Sequence, residues 1–275
     1  MARPALLSVV VPSFNQGVWL DDCLASLFAQ EDDALEVIVV DGGSTDGTPA
    51  VLERWRPRLA ATIVGEDAGQ ADAIAIGFTR AKGELLAWLN SDDLHLPWTI
   101  RRWREAFSRD SAVEFVHGDR AVIDGEGRVT GRRALPGHSS RWLNRFPWTH
   151  QETACWRREL YERTGGVDRS LRFAMDYDLF SRFLESGRCA HLRGPLAAFR
   201  WHAASKTATE SASTGAREVG EVRRRRGIPA LPRLHPSRVA MAAAVRVATR
   251  IGVCDPGWPD WRALPRGTIL PLARA

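Results

Sequence analysis

The sequence predicts an α/β protein whose central sheet is mostly parallel and is covered by helices on both faces. Two observations lead to this prediction. Short apolar runs alternate with helical patterns through the first half of the 275-residue chain, and such continuous runs are typical of strands buried on both faces. Polar clusters directly follow three of these runs. In a parallel sheet, clusters at strand ends meet at one edge.

The individual elements follow in order. Four apolar runs are predicted strands over residues 6–11, 35–40, 60–64 and 84–89. Helical spacing of apolar side chains fills the intervening segments over 17–30, from Thr48-Pro49 onwards and over 69–81. Pro49 suits the first turn of a helix, and Gly83 suits a C-terminal stop. The βαβαβαβ alternation implies parallel strands joined by crossovers, with a ligand crevice beyond the carboxyl ends of the strands.

The composition is that of a globular protein without disulfides. Hydrophobic residues make up 44% and charged residues 26% of the chain, which is ordinary for this class. Four scattered cysteines without paired spacing predict reduced thiols in a cytosolic protein. No apolar run reaches the 18 or so residues of a spanning helix, and the N-terminal run lacks the features of a signal peptide.

The polar clusters are the candidate site, and they occupy residues 12–16, 41–48 and 90–93. The second cluster, DGGSTDGT, lacks the spacing of a phosphate-binding loop. Asp41 emerges from a buried strand and is expected to accept hydrogen bonds from a base or a ribose. Asp46 has the alternative role of capping the next helix. Asp72, near the helix start at Gly69-Gln70, either contacts a ligand there or only satisfies the helix start.

The adjacent carboxylates Asp92 and Asp93 are the sharpest feature of the third cluster. Two such charges at the end of a buried strand repel each other, and a low dielectric strengthens the repulsion. A cation between the pair and another anion would turn this cost into a binding site. The alternative is an acidic turn that faces water.

Five segments in this order resemble glycosyltransferase family 2, whose members have the GT-A nucleotide-sugar-binding fold. The resemblance covers residues 6–207, about three quarters of the chain. It depends on VVVPSFNQ (9–16), VIVVDGGSTDGT (37–48), EDAGQADAIAIGFTRAKGELLAWLNSDD (66–93), HQETACWRRELYERTGGVDRSLRFAMDYDL (150–179) and FRWHAASKT (199–207). Each motif alone is weak, whereas their order and spacing are specific.

The resemblance implies roles for particular residues. The acidic pair would hold Mn²⁺ or Mg²⁺ on the donor diphosphate, with Asp93 as the direct ligand, Asp92 nearer the sugar or ribose, and His202 completing the site. Carboxylate oxygens suit these hard cations better than zinc. His202 has the alternative of being a structural surface histidine. The donor nucleotide is expected to contact Pro12, Phe14, Asn15, Asp41, Gly69, Gln70, Asp72, Ser91 and Asp92.

Asp176 in AMDYDL is implied as the base that deprotonates the acceptor, because an acceptor hydroxyl needs a carboxylate to take its proton. A single base opposite the leaving group implies inversion at the anomeric carbon. Many relatives have Glu-Asp where this chain has Met175-Asp176. Asp178 is a candidate substitute for the missing carboxylate, although on a helix it lies about 200° round from Asp176. Trp148, His150 and Gln151 are further candidate acceptor or sugar contacts, with packing roles as the alternative.

The C-terminal part differs in charge. From Ser205 onwards there are 13 Lys/Arg against 5 Asp/Glu, whereas residues 1–204 have 25 against 28. We expect a catalytic domain over 1–207, with a nucleotide-binding half to about 118 and an acceptor half over 119–207, followed by a basic helical extension over 208–275. Within it, residues 237–251 combine an apolar face with an edge of Arg238, Arg246 and Arg250. Such a helix either binds anionic lipid or packs on the catalytic domain.

The predicted protein is a cytoplasmic inverting glycosyltransferase that uses a nucleotide-diphosphate sugar, with UDP- or dTDP-sugars favoured. A saccharide or a lipid-linked saccharide is the expected acceptor, and the extension is a candidate peripheral contact to the cell membrane. One alternative is a sugar nucleotidyltransferase, but VPSFNQG lacks the basic residue of that class's phosphate loop. A second is a relative that binds nucleotide sugars without catalysis. A nucleic-acid-binding role is disfavoured, because the run at 223–226 lacks interleaved aromatic residues.

Overall fold

The first four strands form a parallel sheet, as the apolar runs predict. The computed structural model describes residues 6–135, 149–229, 236–251, 264 and 266–270. Strands β1 to β4 lie in the order β3-β2-β1-β4, with all three pairings parallel. Their bounds are Leu7–Ser13, Leu35–Asp41, Ala61–Val64 and Leu85–Trp88.

Helices cover both faces of this sheet because successive side chains of a strand point to opposite sides. Val10 of β1 packs in one core, whereas Val9 and Val11 pack in the core on the other face. The second core holds the apolar sides of α1, α2 and α4, and the first holds that of α3. These four helices span Gly17–Phe28, Thr48–Trp55, Gln70–Arg80 and Thr99–Arg109, numbered in chain order.

The second half of the chain extends the sheet with mixed pairing. The order continues β4-β8-β6-β9-β5, and β7 pairs with β6. Only β6·β9 is parallel among these pairings, while β4·β8, β6·β8, β6·β7 and β5·β9 are antiparallel. The sheet is therefore parallel from β1 to β4 and mixed beyond β4. Strands β5 to β9 span Leu94–His95, Phe115–Ile123, Val129–Arg133, Cys155–Arg157 and Cys189–Arg200.

Helix α6 (Met175–Ser186) brings the predicted base to the sheet. Its buried face packs Phe180 and Phe183 against Trp88 and Trp156, at ring-centroid distances between 5.4 and 6.0 Å. Aromatic pairs at such distances contribute stability beyond the area that they bury. The aromatic cluster fixes α6 against the end of β4, which carries the acidic pair.

The basic C-terminal segment is joined to the catalytic part. Helix α7 (Lys206–Glu210), a π-helical turn (Ser211–Gly215) and α8 (Ala216–Arg225) run on continuously. Glu218 of α8 is buried and accepts hydrogen bonds from the N–H groups of Arg172, Phe173 and Ala174, at 2.8 to 3.1 Å. These N–H groups precede α6, so Glu218 anchors the start of the helix that holds Asp176. The expected division at 207/208 stays a prediction, and α7 runs across it.

Helix α9 (Pro236–Ile251) packs one side on the catalytic part and leaves the other exposed. Val245 packs against the core that holds α3, and Ala248 packs against a third, smaller apolar cluster beside β5, β6 and β7. Thr249 accepts a hydrogen bond from the Ala134 N–H. Val247 and Ile251 are exposed. Within the part of the chain that the structure describes, every helix is too short or too polar to cross a bilayer. The remaining helix, α5, spans Arg158–Arg163.

Candidate active site

A cleft of about 1110 Å³ lies beyond the carboxyl ends of β1, β2 and β4, where the sequence places the crevice. The three polar clusters contribute to its wall, together with the first turn of α6 and the start of α7. Of the predicted donor-binding residues, the wall includes Pro12, Phe14, Gly69, Gln70, Ser91 and Asp92. Of the predicted catalytic and acceptor residues, it includes His150, Gln151 and Asp176.

Phe14 and Asp67 frame a slot above Gly42. The Phe14 ring is 60% exposed, which leaves its face free to stack on a planar ligand. A Cβ on Gly42 would lie 3.1 Å from the Asp67 carboxylate and 3.2 Å from the Phe14 ring. Glycine at this position therefore keeps the slot open. Sequence reasoning missed Asp67, which follows the weakest of the four predicted strands.

Asn15 and Asp41 join the loops behind the wall. Asn15 lies in the left-handed region with φ 52°, and its side-chain oxygen accepts a hydrogen bond from Thr45 N–H at 2.9 Å. Asp41 is 1% exposed, and its carboxylate accepts hydrogen bonds from the Ser44 N–H at 2.9 Å and the Ser44 hydroxyl at 2.5 Å. Neither residue lines the cleft, so ligand contact by Asn15 or Asp41 stays a prediction.

Two other aspartates have capping roles. Asp46 accepts hydrogen bonds from Gly17 N–H and Thr48 N–H, each at 2.9 Å, and so satisfies the starts of both α1 and α2. Asp72 accepts a hydrogen bond from Ala68 N–H at 2.9 Å and pairs with Arg169. Asp72 does not line the cleft, and this geometry fits the alternative in which it satisfies the start of α3.

Gln70 and Lys206 connect the two sides of the donor end of the cleft. Lys206 Nζ donates hydrogen bonds to Gln70 Oε1 and to the Arg172 carbonyl, both at 2.9 Å. Gln70 Nε2 donates to Asn90 Oδ1 at 2.8 Å. Burial lowers the pKa of Lys206 from its usual value. Lys206 was not predicted as a site residue from the sequence, although it lies within the segment FRWHAASKT (199–207) that resembles family 2.

The two carboxylates of the acidic pair lie in different surroundings. Asp92 lines the cleft, and its Oδ2 lies 3.0 Å from His202 Nε2. Asp93 is 1% exposed and turned inward, where its Oδ1 accepts a hydrogen bond from Arg200 N–H at 2.9 Å. Burial, reinforced by the charges of Asp92 and Glu152, raises the pKa of Asp93 well above its usual range. In the turn between β4 and β5, Asp92 rather than Asp93 is therefore the carboxylate on the cleft wall.

The donor set near His202 fits a cation that is shared with a diphosphate. Among the described residues, no three His, Cys, Asp or Glu side chains cluster as a metal site. Asp92 and His202 nevertheless present a carboxylate and an imidazole side by side, and the His202 ring rests 4.0 Å from the Trp19 ring. His202 Nδ1 is buried without a hydrogen-bond partner. Mg²⁺ is often bound by only one or two carboxylates together with substrate phosphates.

Asp176 lies in the first turn of α6 on the opposite part of the wall. Its Oδ1 accepts a hydrogen bond from Tyr177 N–H at 2.7 Å. Burial, with a smaller contribution from the charge of Glu152, raises the pKa of Asp176 to about 6. A carboxylate with this pKa is still ionised at pH 7 and is a stronger base than an ordinary aspartate.

Asp178 does not supply the second carboxylate that Met175 lacks. It is 7% exposed, lies outside the cleft wall, and pairs with Arg182 through contacts of 2.6 and 3.0 Å. The prediction that it contacts the acceptor or sugar therefore does not fit the structure, because two positions along a helix turn its side chain away from the face of Asp176.

Four consecutive residues after the predicted Trp148, residues 149–152, line the cleft; Trp148 itself lies outside the described residues. His150 Nδ1 lies 3.1 Å from the Gly118 carbonyl, and its Nε2 is buried without a partner. Burial, followed by the charge of Arg120, lowers the pKa of His150 well below its usual value, which favours the neutral ring. Gln151 Nε2 donates to the Trp88 carbonyl at 2.7 Å, leaving its Oε1 without a partner.

Glu152 is the acidic residue at the acceptor end that sequence reasoning missed. It lines the cleft, is 2% exposed and pairs with Arg120 at 3.2 Å. Glu152 lies in the segment 150–179 that resembles family 2, but only its neighbours His150 and Gln151 were predicted as contacts. Arg120 and Arg133, on β6 and β7, also line the cleft and belong to a region without recognisable motifs.

Comparisons with known proteins agree with this architecture. The profile of the family "Glycosyl transferase family 2" matches residues 8–166. An uncharacterized glycosyltransferase of Nostoc sp. is 26% identical over 230 residues, covering 78% of this chain and 70% of the relative.

Two solved structures share the fold. Staphylococcus aureus TarS in complex with UDP-GlcNAc has a TM-score of 0.62 and 20% identity, covering 74% of this chain and 61% of TarS. The mannosyltransferase PcManGT from Pyrobaculum calidifontis, in complex with GDP-Man and Mn²⁺, has a TM-score of 0.61 and 21% identity, covering 91% of this chain and 77% of that protein. The match thus covers less than two thirds of the TarS chain. The GT-A fold expected from the sequence is confirmed.

Proposed function

The chain belongs to glycosyltransferase family 2, and from this premise we propose that it transfers a sugar from a nucleotide-diphosphate sugar to an acceptor hydroxyl with inversion. One observation carries the proposal. Asp92, on the acidic rim, and Asp176, a carboxylate with a raised pKa, line the same cleft. Such an arrangement provides a leaving-group site and a base within one cavity, as the reaction needs.

The donor end of the cleft supports binding of a nucleoside diphosphate. The exposed Phe14 ring is suited to stack on a base, with Asp67 at the edge of the same slot. Lys206 is suited to bind a diphosphate, since its hydrogen-bond acceptors are neutral and its charge is not offset by them. The neighbours TarS and PcManGT bind UDP-GlcNAc and GDP-Man respectively. A UDP- or dTDP-sugar remains the proposed donor.

We propose that Asp92 and His202 hold Mn²⁺ or Mg²⁺ against the donor diphosphate. A bound divalent ion would supply Lewis-acid stabilisation of the departing diphosphate. Asp93 then supports the rim through its hydrogen bond with Arg200 N–H, and it is not the direct ligand. Asp41 and Asn15 hold the loops that frame the nucleoside slot.

At the acceptor end, Asp176 is the proposed general base. Its Oδ1 is oriented by Tyr177 N–H, and the carboxylate accepts the proton of the attacking hydroxyl as the new bond forms. His150 Nε2 and Gln151 Oε1 are buried acceptors without partners in the described structure, and both line the cleft. They are therefore suited to accept hydrogen bonds from hydroxyl groups of a sugar and so to orient it toward Asp176.

Calorimetric titration of UDP, with and without Mn²⁺, tests the metal assignment. Wild-type protein should bind UDP more tightly with Mn²⁺, and Asp92→Asn should remove this gain. Asp93→Asn should keep most of it, because the amide oxygen can still accept the Arg200 hydrogen bond. Asp110, which lies outside the cleft wall and pairs with Arg188 at 2.9 Å, provides a control for the loss of one carboxylate, as Asp110→Asn should keep the full Mn²⁺ effect. A full Mn²⁺ effect in Asp92→Asn would contradict the assignment.

Mn²⁺-dependent hydrolysis of a panel of UDP- and dTDP-sugars, measured as release of UDP or dTDP respectively, separates an enzyme from a protein that only binds the donor. Donor hydrolysis needs no knowledge of the acceptor, since water takes its place. A sugar that shifts the melting temperature but is never hydrolysed or transferred would support the binding protein instead.

We also propose that α9 contacts an anionic membrane surface. Arg246, Val247, Arg250 and Ile251 are exposed along its outer side, a combination suited to lipid headgroups. Removing residues 208–275 would also remove Glu218 from the start of α6, so point substitutions are preferable. Flotation with phosphatidylglycerol vesicles should fall in Val247→Asp/Ile251→Asp, whereas neutral vesicles should bind neither protein. Equal flotation of variant and wild type would refute this contact.

A further inference from the structure

Two arginines face each other across neighbouring strands at the acceptor end of the cleft. Arg120 of β6 and Arg133 of β7 are direct partners in the antiparallel register, and both line the cleft. Side chains at directly opposite positions lie about 5 Å apart at Cβ, and like charges there are destabilising. Such a pair calls for compensating negative charge.

Among the residues that the structure describes, only Arg120 of this pair has an ion-pair partner. Arg120 pairs with Glu152 at 3.2 Å, and its guanidinium lies 4.4 Å from the centre of the Phe199 ring. Arg133 has no hydrogen bond or ion pair with any residue that the structure describes. Arg133 is exposed on the cleft wall; partial desolvation and the charge of Arg120 lower its pKa, although an arginine remains protonated at neutral pH.

The other cations of the cleft wall differ from Arg133. Arg169 pairs with Asp72, and Arg172 pairs with Glu210 at 2.8 Å. Lys206 is the second cation of the wall that has no carboxylate partner among the described residues, but it lies beside Gln70 at the proposed donor end. Two cations of the wall, Arg133 and Lys206, therefore have no carboxylate partner among the described residues. The donor diphosphate is the proposed partner of Lys206, which leaves Arg133.

The groups around Arg133 belong to the acceptor end. The charges of Arg120 and Arg133 contribute to the lowered pKa of His150. The charge of Glu152 raises the pKa of Asp176, and that of Arg120 lowers it. With His150 neutral and Arg120 paired with Glu152, Arg133 is the cation of this part of the wall that has no ion pair with a described residue. We propose that the acceptor carries a singly charged oxyanion, a phosphodiester or a carboxylate, which Arg133 binds while the accepting hydroxyl faces Asp176. This inference rests on the proposed glycosyl transfer and adds the chemical class of the acceptor.

Binding of small probes to the full chain loaded with UDP and Mn²⁺ tests the proposal. Saturation-transfer NMR would compare methyl β-glucuronide with methyl β-glucoside, and glycerophosphoglycerol with diglycerol. At least one anionic probe should bind about 10-fold more tightly than its neutral counterpart, a gain typical of a charged hydrogen bond. The two pairs distinguish a carboxylate from a phosphodiester. Equal binding within both pairs, or no binding of either anion, would overturn the proposal.

Arg133→Gln should abolish the preference for the anion and leave the affinity for UDP within 2-fold of wild type. Arg132→Gln is the matched control, because it removes the same charge one position away, from the other face of β7. Loss of the preference in both variants, or a preference that survives Arg133→Gln, would overturn the role of Arg133. Failure of the wild-type protein to bind UDP at all would instead refute the proposed function.

Discussion

Replacing Asp176 with asparagine should separate the chemical role of this carboxylate from its effect on stability. Asparagine keeps the shape of the side chain and the oxygen that accepts the Tyr177 N–H, but it cannot take a proton from the acceptor. General-base catalysis contributes about 10² to 10⁴-fold to a rate. We therefore expect kcat for transfer to fall by at least about 100-fold, while the affinity for UDP stays within 2-fold.

The same substitution should stabilise the fold at neutral pH. The pKa of Asp176 is raised from 3.8 to about 6, so the folded state disfavours the charged carboxylate. This penalty is absent below pH 4, where the group is protonated in both states, and grows as the pH rises towards 6. At 1.36 kcal/mol per pKa unit it reaches up to about 3 kcal/mol above pH 7, and about half of that at pH 5. Asparagine carries no charge, so the Asp176→Asn variant does not have this free-energy penalty.

Urea unfolding of both proteins at pH 5 and pH 8 measures the gain in stability, and the pH profile of kcat/KM measures the catalytic pKa. Wild-type kcat/KM should fall on the acid side with an apparent pKa near 6, because Asp176 must be ionised to act. Asp178→Asn is the matched control on the same helix. Breaking its pair with Arg182 should reduce stability and leave kcat nearly unchanged.

Either of two results would refute this reasoning. Wild-type turnover in Asp176→Asn would show that another group accepts the proton. An unchanged or lower free energy of unfolding at pH 8 would show that the ionised Asp176 carboxylate is not destabilised in the folded protein, and the acid limb of the rate profile would then need a different origin.

Three further predictions concern the surrounding structure. Lys206→Met should weaken binding of UDP about 10-fold in calorimetry and leave uridine binding unchanged, because only UDP carries the diphosphate. Gly83→Ala should cost about 1–3 kcal/mol in urea unfolding, since its Cβ would meet the backbone of Ser8 and Leu6; the open helical site Gly220→Ala should instead stabilise by up to about 1 kcal/mol. Glu218→Gln should lower stability at pH 7 by about 1–3 kcal/mol, as a carboxylate that accepts three N–H groups is lost.

The fold of the nucleotide-binding half could be predicted from the sequence because its signals are local. Strands such as Leu35–Asp41 are continuous apolar runs, and the helices between them carry regular spacing. The mixed pairing beyond β4 could not be predicted in this way. Strands β8 and β9 find their partners through contacts between distant parts of the chain, and short strands such as Cys155–Arg157 leave almost no periodic pattern.

The candidate site was predictable as a set of segments but not residue by residue. The strand ends converge on the cleft because the topology brings them together. Which of two neighbouring acidic residues faces the ligand depends on the rotation of the chain as it leaves β4, and this distinguishes Asp92 from Asp93. Similarly, whether Asp72 binds a ligand or satisfies the start of α3 depends on where Arg169 lies, and that residue is far away in the sequence.

The residues that sequence reasoning missed share a physical cause. Glu152, Arg120 and Arg133 matter through the charge that remains once pairs are formed, and pairing is a property of the folded chain. Arg120 is paired with Glu152, so Arg133 is the cation at the proposed acceptor end that has no ion pair with a described residue. Lys206 provides the corresponding charge at the donor end. A cleft with one such cation at each end and a base beside the second is suited to join two anionic substrates. For this reason, we expect high salt to raise the KM for both substrates.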